Sequence, residues 1–314
     1  MKNRHNWEID TSWIFTTHGL VNGTGLCIDT FTKPGDGIIL FTPVYYQFSN
    51  LVEAARRKVV ECPLKLIDNH YHFDFVAYER NLSGDEKMVI LCSPHNPGGR
   101  VWTKNELQEV AKFAKKHDLV LVSDEIHHDL VYPNKNHTVM PIADPSVCDR
   151  LVMMTATTKT FNIAGAHSGN VIISNPNLRQ KFSQRIKALG ISPNSFGLFM
   201  ATAAYSPEGA QWLDELLHYI DGNRVIFDRE VNKIPGLSSM PLEGTYLAWV
   251  DFSGTGMEEE EFIYRVQEKA KIAVNHGSTF GTGGEKFLRF NLATPRTLVV
   301  EATKRLKDAF SDLQ

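Results

Sequence analysis

"KMVILCSPHNPGGRVWTKNELQEVAKFAKKHDLVLVSD", residues 87–124, decides the fold class of this chain. "KMVILCS" (87–93) is a continuous apolar run of strand length. "TKNELQEVAKFAKKH" (103–117) opens with a capping box: Thr103 can cap the first turn, and Glu106 stands three residues on. Leu107, Val110, Ala111 and Ala114 then recur at the i, i+3, i+4, i+7 spacing of one buried helical face. "DLVLVSD" (118–124) is a second apolar strand. Strands apolar along their whole length, joined by a helix, imply a parallel sheet covered on both faces.

The same pattern extends outward. "LVMMT" (151–155) and "GNVIISN" (169–175) read as further strands, and "TKPGDGIILFTPVYYQF" (32–48) gives a Pro-Gly turn, a strand over 37–41 and the adjacent Tyr45 and Tyr46. Past residue 205 the character changes. "PEGAQWLDELLHYIDGNRVIFDREVNKIPG" (207–236) predicts a long helix, and "EGTYLAWVDF" (243–252) an alternating strand. "EEEEFIYRVQEKAKI" (258–272) and "LVVEATKRLKDAF" (298–310) predict two amphipathic helices. The reading is an α/β fold in two parts: a large domain with a mostly parallel sheet over residues 1–215, then a smaller α+β domain over 216–314.

Composition narrows the function classes. With 42% apolar and 22% charged residues the chain is globular, and a net charge of −3 without Lys/Arg clusters speaks against nucleic acid or a membrane surface as partner. Its longest apolar stretches fall well short of a bilayer span, and "MKNRHNWEID" (1–10) is a polar start without a secretory leader's apolar region. Cys27, Cys62, Cys92 and Cys148 are scattered without metal-ligand spacing, so the expectation is free thiols in the cytoplasm.

Three polar residues fall at the carboxyl ends of predicted strands, where an open parallel sheet binds its ligands: Asn96, Asp124 and Lys159. Alone, each has an ordinary reading, as a turn residue before proline, a helix cap and a solvated surface lysine. Together on one sheet edge they ask for a shared chemistry. No metal set is evident, since the histidines of "HHD" (127–129) are adjacent and lack a mate one helical turn away. No GxSxG elbow, Walker A loop or GxGxxG fingerprint occurs. A lysine beside an acid and an amide suits a Schiff base on pyridoxal 5'-phosphate. Partial burial would favour the neutral amine that condensation needs, Asp124 would keep the pyridine nitrogen protonated, and Asn96 would donate to the phenolic oxygen. The glycine-rich "HGLVNGTG" (18–25), with Gly19, Gly23 and Gly25, can supply a phosphate loop.

"SPHNPGGRVW" (93–102), "VSDEIHHDLVY" (122–132), "TKTFNIAG" (158–165), "EGTYLAWVDF" and "FLRFNLATPR" (287–296) occur in that order and span most of the chain. They resemble the fold-type-I pyridoxal-phosphate enzymes of the class I/II aminotransferase superfamily, most closely its MalY/PatB cystathionine β-lyase group. The resemblance implies Lys159 as the Schiff-base lysine, Asp124 at the pyridine nitrogen, and Asn96 with His127 near the phenolic oxygen. It places Tyr45 against the cofactor ring, Gly19, Leu20, Val21 and Thr158 around the phosphate, and Arg289 on the substrate carboxylate. Activity would be α,β-elimination at a carbon–sulfur bond, with transamination as the alternative, in a homodimer that takes an amino-acid substrate. Relatives usually carry more chain before the phosphate loop, so this chain reads as shortened at its N-terminus, and an inactive or regulatory relative is a third reading. Gly98 stands where relatives often have threonine.

Overall fold

The computed structural model describes residues 1–313. Its large sheet is built from β1 (Ile14–Thr17), β2 (Gly37–Leu40), β3 (Lys58–Glu61), β4 (Glu86–Cys92), β5 (Val120–Asp124), β6 (Leu151–Thr155) and β7 (Gly169–Ile172), in spatial order β1-β7-β6-β5-β4-β2-β3. β3, β2, β4, β5 and β6 pair in parallel, and β7 runs antiparallel to both its neighbours. The expected mostly parallel α/β sheet is therefore the observed one. "GNVIISN" is the reversed strand, and nothing in an apolar run encodes direction.

Why the strands are apolar throughout follows from their two neighbours. Val89 and Leu91 of β4 join a core with Leu107, Val110, Ala111 and Ala114 of helix α2 (Lys104–Lys116). Met88, Ile90 and Cys92 point the other way, into a core with Leu26, Cys27 and Ile28 of helix α1 (Leu20–Phe31). With a hydrophobic layer on each face, neither set of alternate positions meets water. Removing one such side chain, as in Leu107→Ala, costs about 2–5 kcal/mol through lost transfer energy and the cavity left behind.

The capping box forms as expected: Thr103 Oγ1 accepts from the Glu106 amide at 3.2 Å, and Glu106 accepts from the Thr103 amide at 2.7 Å. Glu106 does more than cap. Its two oxygens accept from Nη2 of the buried Arg100, at 2.8 and 2.9 Å, and so it ties the loop after β4 to the helix. From the second layer, Glu243 accepts from the Val101 amide at 2.9 Å and from Lys135 at 2.6 Å. The loop has little spare room. A Cβ at Gly98 would lie 2.6 Å from the Tyr71 ring and 2.9 Å from His95 Nδ1, which accounts for glycine where relatives often have threonine.

Beyond α3 (Ser195–Ala204) the long helix α4 (Pro207–Val231) leads to a four-stranded sheet in the order β8 (Ser238–Ser239), β9 (Leu247–Asp251), β11 (Phe287–Asn291), β10 (Asn275–His276). Residue 215 lies inside α4, a single continuous helix. The strand predicted to alternate is buried over Leu247–Val250. It alternates in destination rather than exposure: Ala248 and Val250 pack with α4 and with α5 (Arg296–Ala309), while Trp249 joins the large-sheet core and donates to Tyr71 Oη at 3.0 Å. Of the two expected amphipathic helices, the second is α5, and the first runs over Glu259–Tyr264 and ends in a single π turn, Arg265–Lys269.

Candidate active site

β4, β5 and β6 deliver their carboxyl ends to one edge of the sheet, with Cys92 opposite Asp124 and Asp124 opposite Met154. Outside that edge lies a cavity of about 440 Å³. Asn96 reaches it from the loop after β4, Asp124 from the end of β5, and Thr158 and Lys159 from the turn after β6. Gly19, Leu20 and Val21 at the start of α1, Tyr45, His127 and Arg289 complete the set, so every site residue expected from the sequence lines this one cavity.

Each group is set by its surroundings. Asp124 is 6% exposed and accepts one hydrogen bond, from the Ile126 amide at 3.1 Å. Burial pushes its carboxyl up to about 7, against the pull of that amide and of Lys159. The Lys159 amine is held below the ordinary lysine range by burial and by the Arg289 charge, with Asp124 opposing. Burial, then Lys159 and Arg289, take His127 down to about 3, so its imidazole is neutral. Its Nδ1 is buried without a hydrogen-bond partner, and the ring meets Tyr246 edge-on at 5.8 Å. Arg289 lies 4.8 Å over the Phe280 ring and donates to Asn96 Oδ1 at 2.7 Å and Asn275 Oδ1 at 2.8 Å. The Asn96 carbonyl oxygen is thereby engaged, which leaves its amide hydrogens for the cavity.

The expected glycine-rich phosphate loop needs correction. Only Gly19, with φ of 83°, lies outside the helix; Gly23 and Gly25 are inside α1. A Cβ at Gly23 would stand 3.1 Å from Val171 and 3.2 Å from Thr17 Oγ1, so that glycine lets α1 settle onto the sheet. No side chain caps α1, and its first-turn N–H groups and dipole are an anion site that opens on the cavity.

Tyr45 and Tyr46 both line the cavity, their rings tilted at 5.0 Å from each other. Cys92, Tyr246 and Asn291, which the sequence did not point to as site residues, also line it, as does His167. Tyr246 stood in plain view within "EGTYLAWVDF", and the signal was the motif itself. Chemically, the arrangement offers a deprotonatable amine, an acid that can share a proton, an anion cradle and an arginine within one enclosed space.

Residues 1–306 match the family described as "Aminotransferase class I and II". The chain belongs to that family. Within it, the expected likeness to the MalY/PatB group is borne out. Cystathionine beta-lyase PatB of Bacillus subtilis (strain 168) is 34% identical over 314 residues, covering 99% of this chain and 81% of that protein. Among solved structures, cystalysin from Treponema denticola, described as containing a pyridoxal 5'-phosphate cofactor, superposes with a TM-score of 0.95 at 40% identity, covering 100% of this chain and 80% of that one. A PLP-bound C-S lyase from Staphylococcus hominis superposes with a TM-score of 0.91 at 27% identity, covering 98% of this chain and 79% of that one.

Proposed function

We propose that this chain is a pyridoxal-phosphate-dependent carbon–sulfur β-lyase acting on cystathionine and related cysteine conjugates, with Lys159 as its catalytic residue. The observation that carries the reading is the meeting of Lys159, Asp124 and Asn96 at one cavity beside an uncapped helix N-terminus. The residues fit the cofactor by their own chemistry: a lone buried carboxyl, a neutral imidazole with an unpartnered Nδ1, and free N–H groups for an anion. When bound, pyridoxal phosphate supplies the electron sink that takes up the pair left at the substrate Cα.

The rest is work for this chain's side chains. Lys159 holds the cofactor and, once freed, takes the Cα proton; its burial favours the neutral amine that both tasks need. Asp124 keeps a proton on the ring nitrogen. Asn96 donates to the phenolic oxygen, with neutral His127 beside it. Tyr45 lies against the ring face. The amides of Leu20 and Val21 and the Thr158 hydroxyl would meet the phosphate, with Gly19, whose own amide donates to the Thr17 carbonyl at 2.9 Å, shaping the turn, and Arg289 would receive the substrate α-carboxylate. Loss of thiolate from Cβ yields a thiol, with pyruvate and ammonia after hydrolysis.

The test combines a spectrum with a product assay. Purified chain plus pyridoxal phosphate is expected to gain a visible absorbance band that Lys159→Ala lacks, and to release thiol and pyruvate from cystathionine without 2-oxoglutarate. Turnover that requires 2-oxoglutarate and yields no thiol would make the protein an aminotransferase instead. Neither band nor turnover would make it an inactive relative.

Three further readings complete the proposal. The protein works as a homodimer: α3 presents Phe196 and Phe199, 73% and 76% exposed, with Leu198 and Met200 also exposed, an apolar face that a second copy would cover. Phe199→Asp should then lower the mass measured by light scattering towards one chain. Residues 1–215 act as the cofactor-binding domain and 216–314 as the smaller domain, joined through α4. All four cysteines are free, which supports a cytoplasmic location, and among the described residues no helix is long and apolar enough to cross a membrane.

A further inference from the structure

The segment that carries Asp124 and His127 to the first cavity turns His128 and Asp129 towards a second one. This space, about 490 Å³, is lined by His128 and Asp129 together with His5 and His137. His5 comes from the short helix Lys2–His5 at the start of the chain, which is why no ligand spacing betrays the cluster in the sequence. The fold brings His5 to His128 from far along the chain, a neighbour that no helical spacing around "HHD" could show.

We propose that His5, His128 and Asp129 form a binding site for a divalent transition-metal ion of the zinc class. Their donor atoms all lie within 4.8 Å of one another. His5 Nε2 is 2.9 Å from Asp129 Oδ1, and His128 Nε2 is 3.1 Å from Asp129 Oδ2. The decisive detail is the state of His128. Its Nδ1 lies 2.6 Å from the Glu125 carbonyl oxygen, which has no proton to give, so Nδ1 carries the hydrogen. The other ring nitrogen, Nε2, is buried beside the Asp129 carboxylate with no aligned hydrogen bond.

A buried ring nitrogen and a carboxylate oxygen at that separation take either a proton or a metal ion between them. Donors bonded at about 2.0–2.2 Å to one tetrahedral ion stand roughly 3.3–3.6 Å apart, close to the observed spacing. A histidine ligand whose other ring nitrogen donates to a backbone carbonyl is the usual outer support of such a site. Neighbouring cations do not compete for the centre: Lys135 pairs with Glu243 at 2.6 Å and Arg4 with Asp214. Two imidazoles and a carboxylate suit Zn²⁺, Co²⁺ or Ni²⁺ rather than Mg²⁺ or Ca²⁺. The ion would clip the first turn of the chain to the segment that presents Asp124.

Calorimetric titration of Zn²⁺ into untagged, chelator-stripped chain loaded with pyridoxal phosphate tests the site. One saturable site per chain is expected, with Mg²⁺ giving no heat. His5→Ala, a change in the short first helix, should weaken it at least tenfold, and Asp129→Asn likewise, while Cys148→Ser should leave it intact. X-ray absorption on the zinc-loaded wild type needs no variant and should show imidazole in the first shell. The proposal is overturned by no saturable binding up to millimolar Zn²⁺, by affinity unchanged in His5→Ala, or by a first shell of sulfur without imidazole. The first of these outcomes would leave a proton as the cation between His128 and Asp129.

Discussion

Residues 124 to 129 face two ways, and the two faces treat their polar groups differently. Towards the first cavity, Asp124 has one hydrogen-bond donor and His127 Nδ1 has no partner. Behind, Glu125 is fully buried and takes three donors: Ser123 Oγ at 2.9 Å, the Met140 amide at 3.0 Å and His137 Nε2 at 2.7 Å. An acid with one partner has bonding capacity left for a ligand. An acid with three is saturated and can only hold its neighbours in place. The same short segment thus presents Asp124 and His127 to the first cavity and holds Glu125 in a hydrogen-bonded set behind. Changes on the front should move turnover more than folding, and changes behind should do the reverse.

The strongest test of that division is Asp124→Asn. Losing the carboxylate that holds a proton on the bound ring should lower the rate of thiol release from cystathionine by about 10³-fold, or roughly 4 kcal/mol. Melting of the same variant should show no matching loss of stability. A fall of less than tenfold would mean that the acid does not act from this face.

Without cofactor, the same carboxyl should also work against the fold. Its value of about 7 stands above the ordinary 3.8, so the folded chain holds the proton more tightly than the unfolded one. The stability this gives is fully present below pH 3.8 and is lost as pH rises through 7, by about 4 kcal/mol at 1.36 kcal/mol per unit. Chemical unfolding of apo wild type and Asp124→Asn from pH 4 to 8 should give a difference that grows against the wild type over this window. A flat difference would show that the front face carries no desolvated acid.

Much of this was legible in advance, for reasons specific to each element. The β4-α2-β5 unit could be read because a capping box and a period-3.6 face leave local marks. Asn96, Asp124 and Lys159 could be placed together because parallel strands end on one edge. Other features leave no such mark. Strand direction is absent from an apolar run, so β7 read as a further strand without its reversal being visible. Gly23 and Gly25 read as loop because glycine serves close packing and tight turns alike. Front and back of the "DEIHHD" run could not be told apart, since the direction of each side chain depends on a turn that the residues alone do not specify. His5 was invisible beside His128 because only tertiary folding joins them.

Glu125→Ala probes the rear. Removing a saturated acid strands the Ser123 hydroxyl, the Met140 amide and His137 in a buried place, and should cost about 3 kcal/mol of stability. Denaturant unfolding reads this directly. Turnover per folded molecule should stay unchanged, since no atom of Glu125 lines the first cavity. A loss of turnover in molecules shown to be folded would break the division, because it would make the rear face part of the chemistry.

The smallest effect belongs to His127→Asn, and it sharpens the comparison because His128, the next residue, faces the rear. Its Nδ1 has no protein partner to lose, so folding should give up little beyond the edge contact with Tyr246, about 0.5–1 kcal/mol. Its neutral ring, held near 3, would contribute one uncharged hydrogen bond at the reacting end of the cavity. Such a bond is worth about 1 kcal/mol, or roughly fivefold in kcat. The pH dependence of kcat between 5 and 8 should be the same in both proteins, because a group that titrates near 3 does not change charge in that range. If the variant instead removed an inflection near pH 6.5, His127 would be an ordinary titrating histidine, and the front face would be wetter than the geometry of this cavity implies.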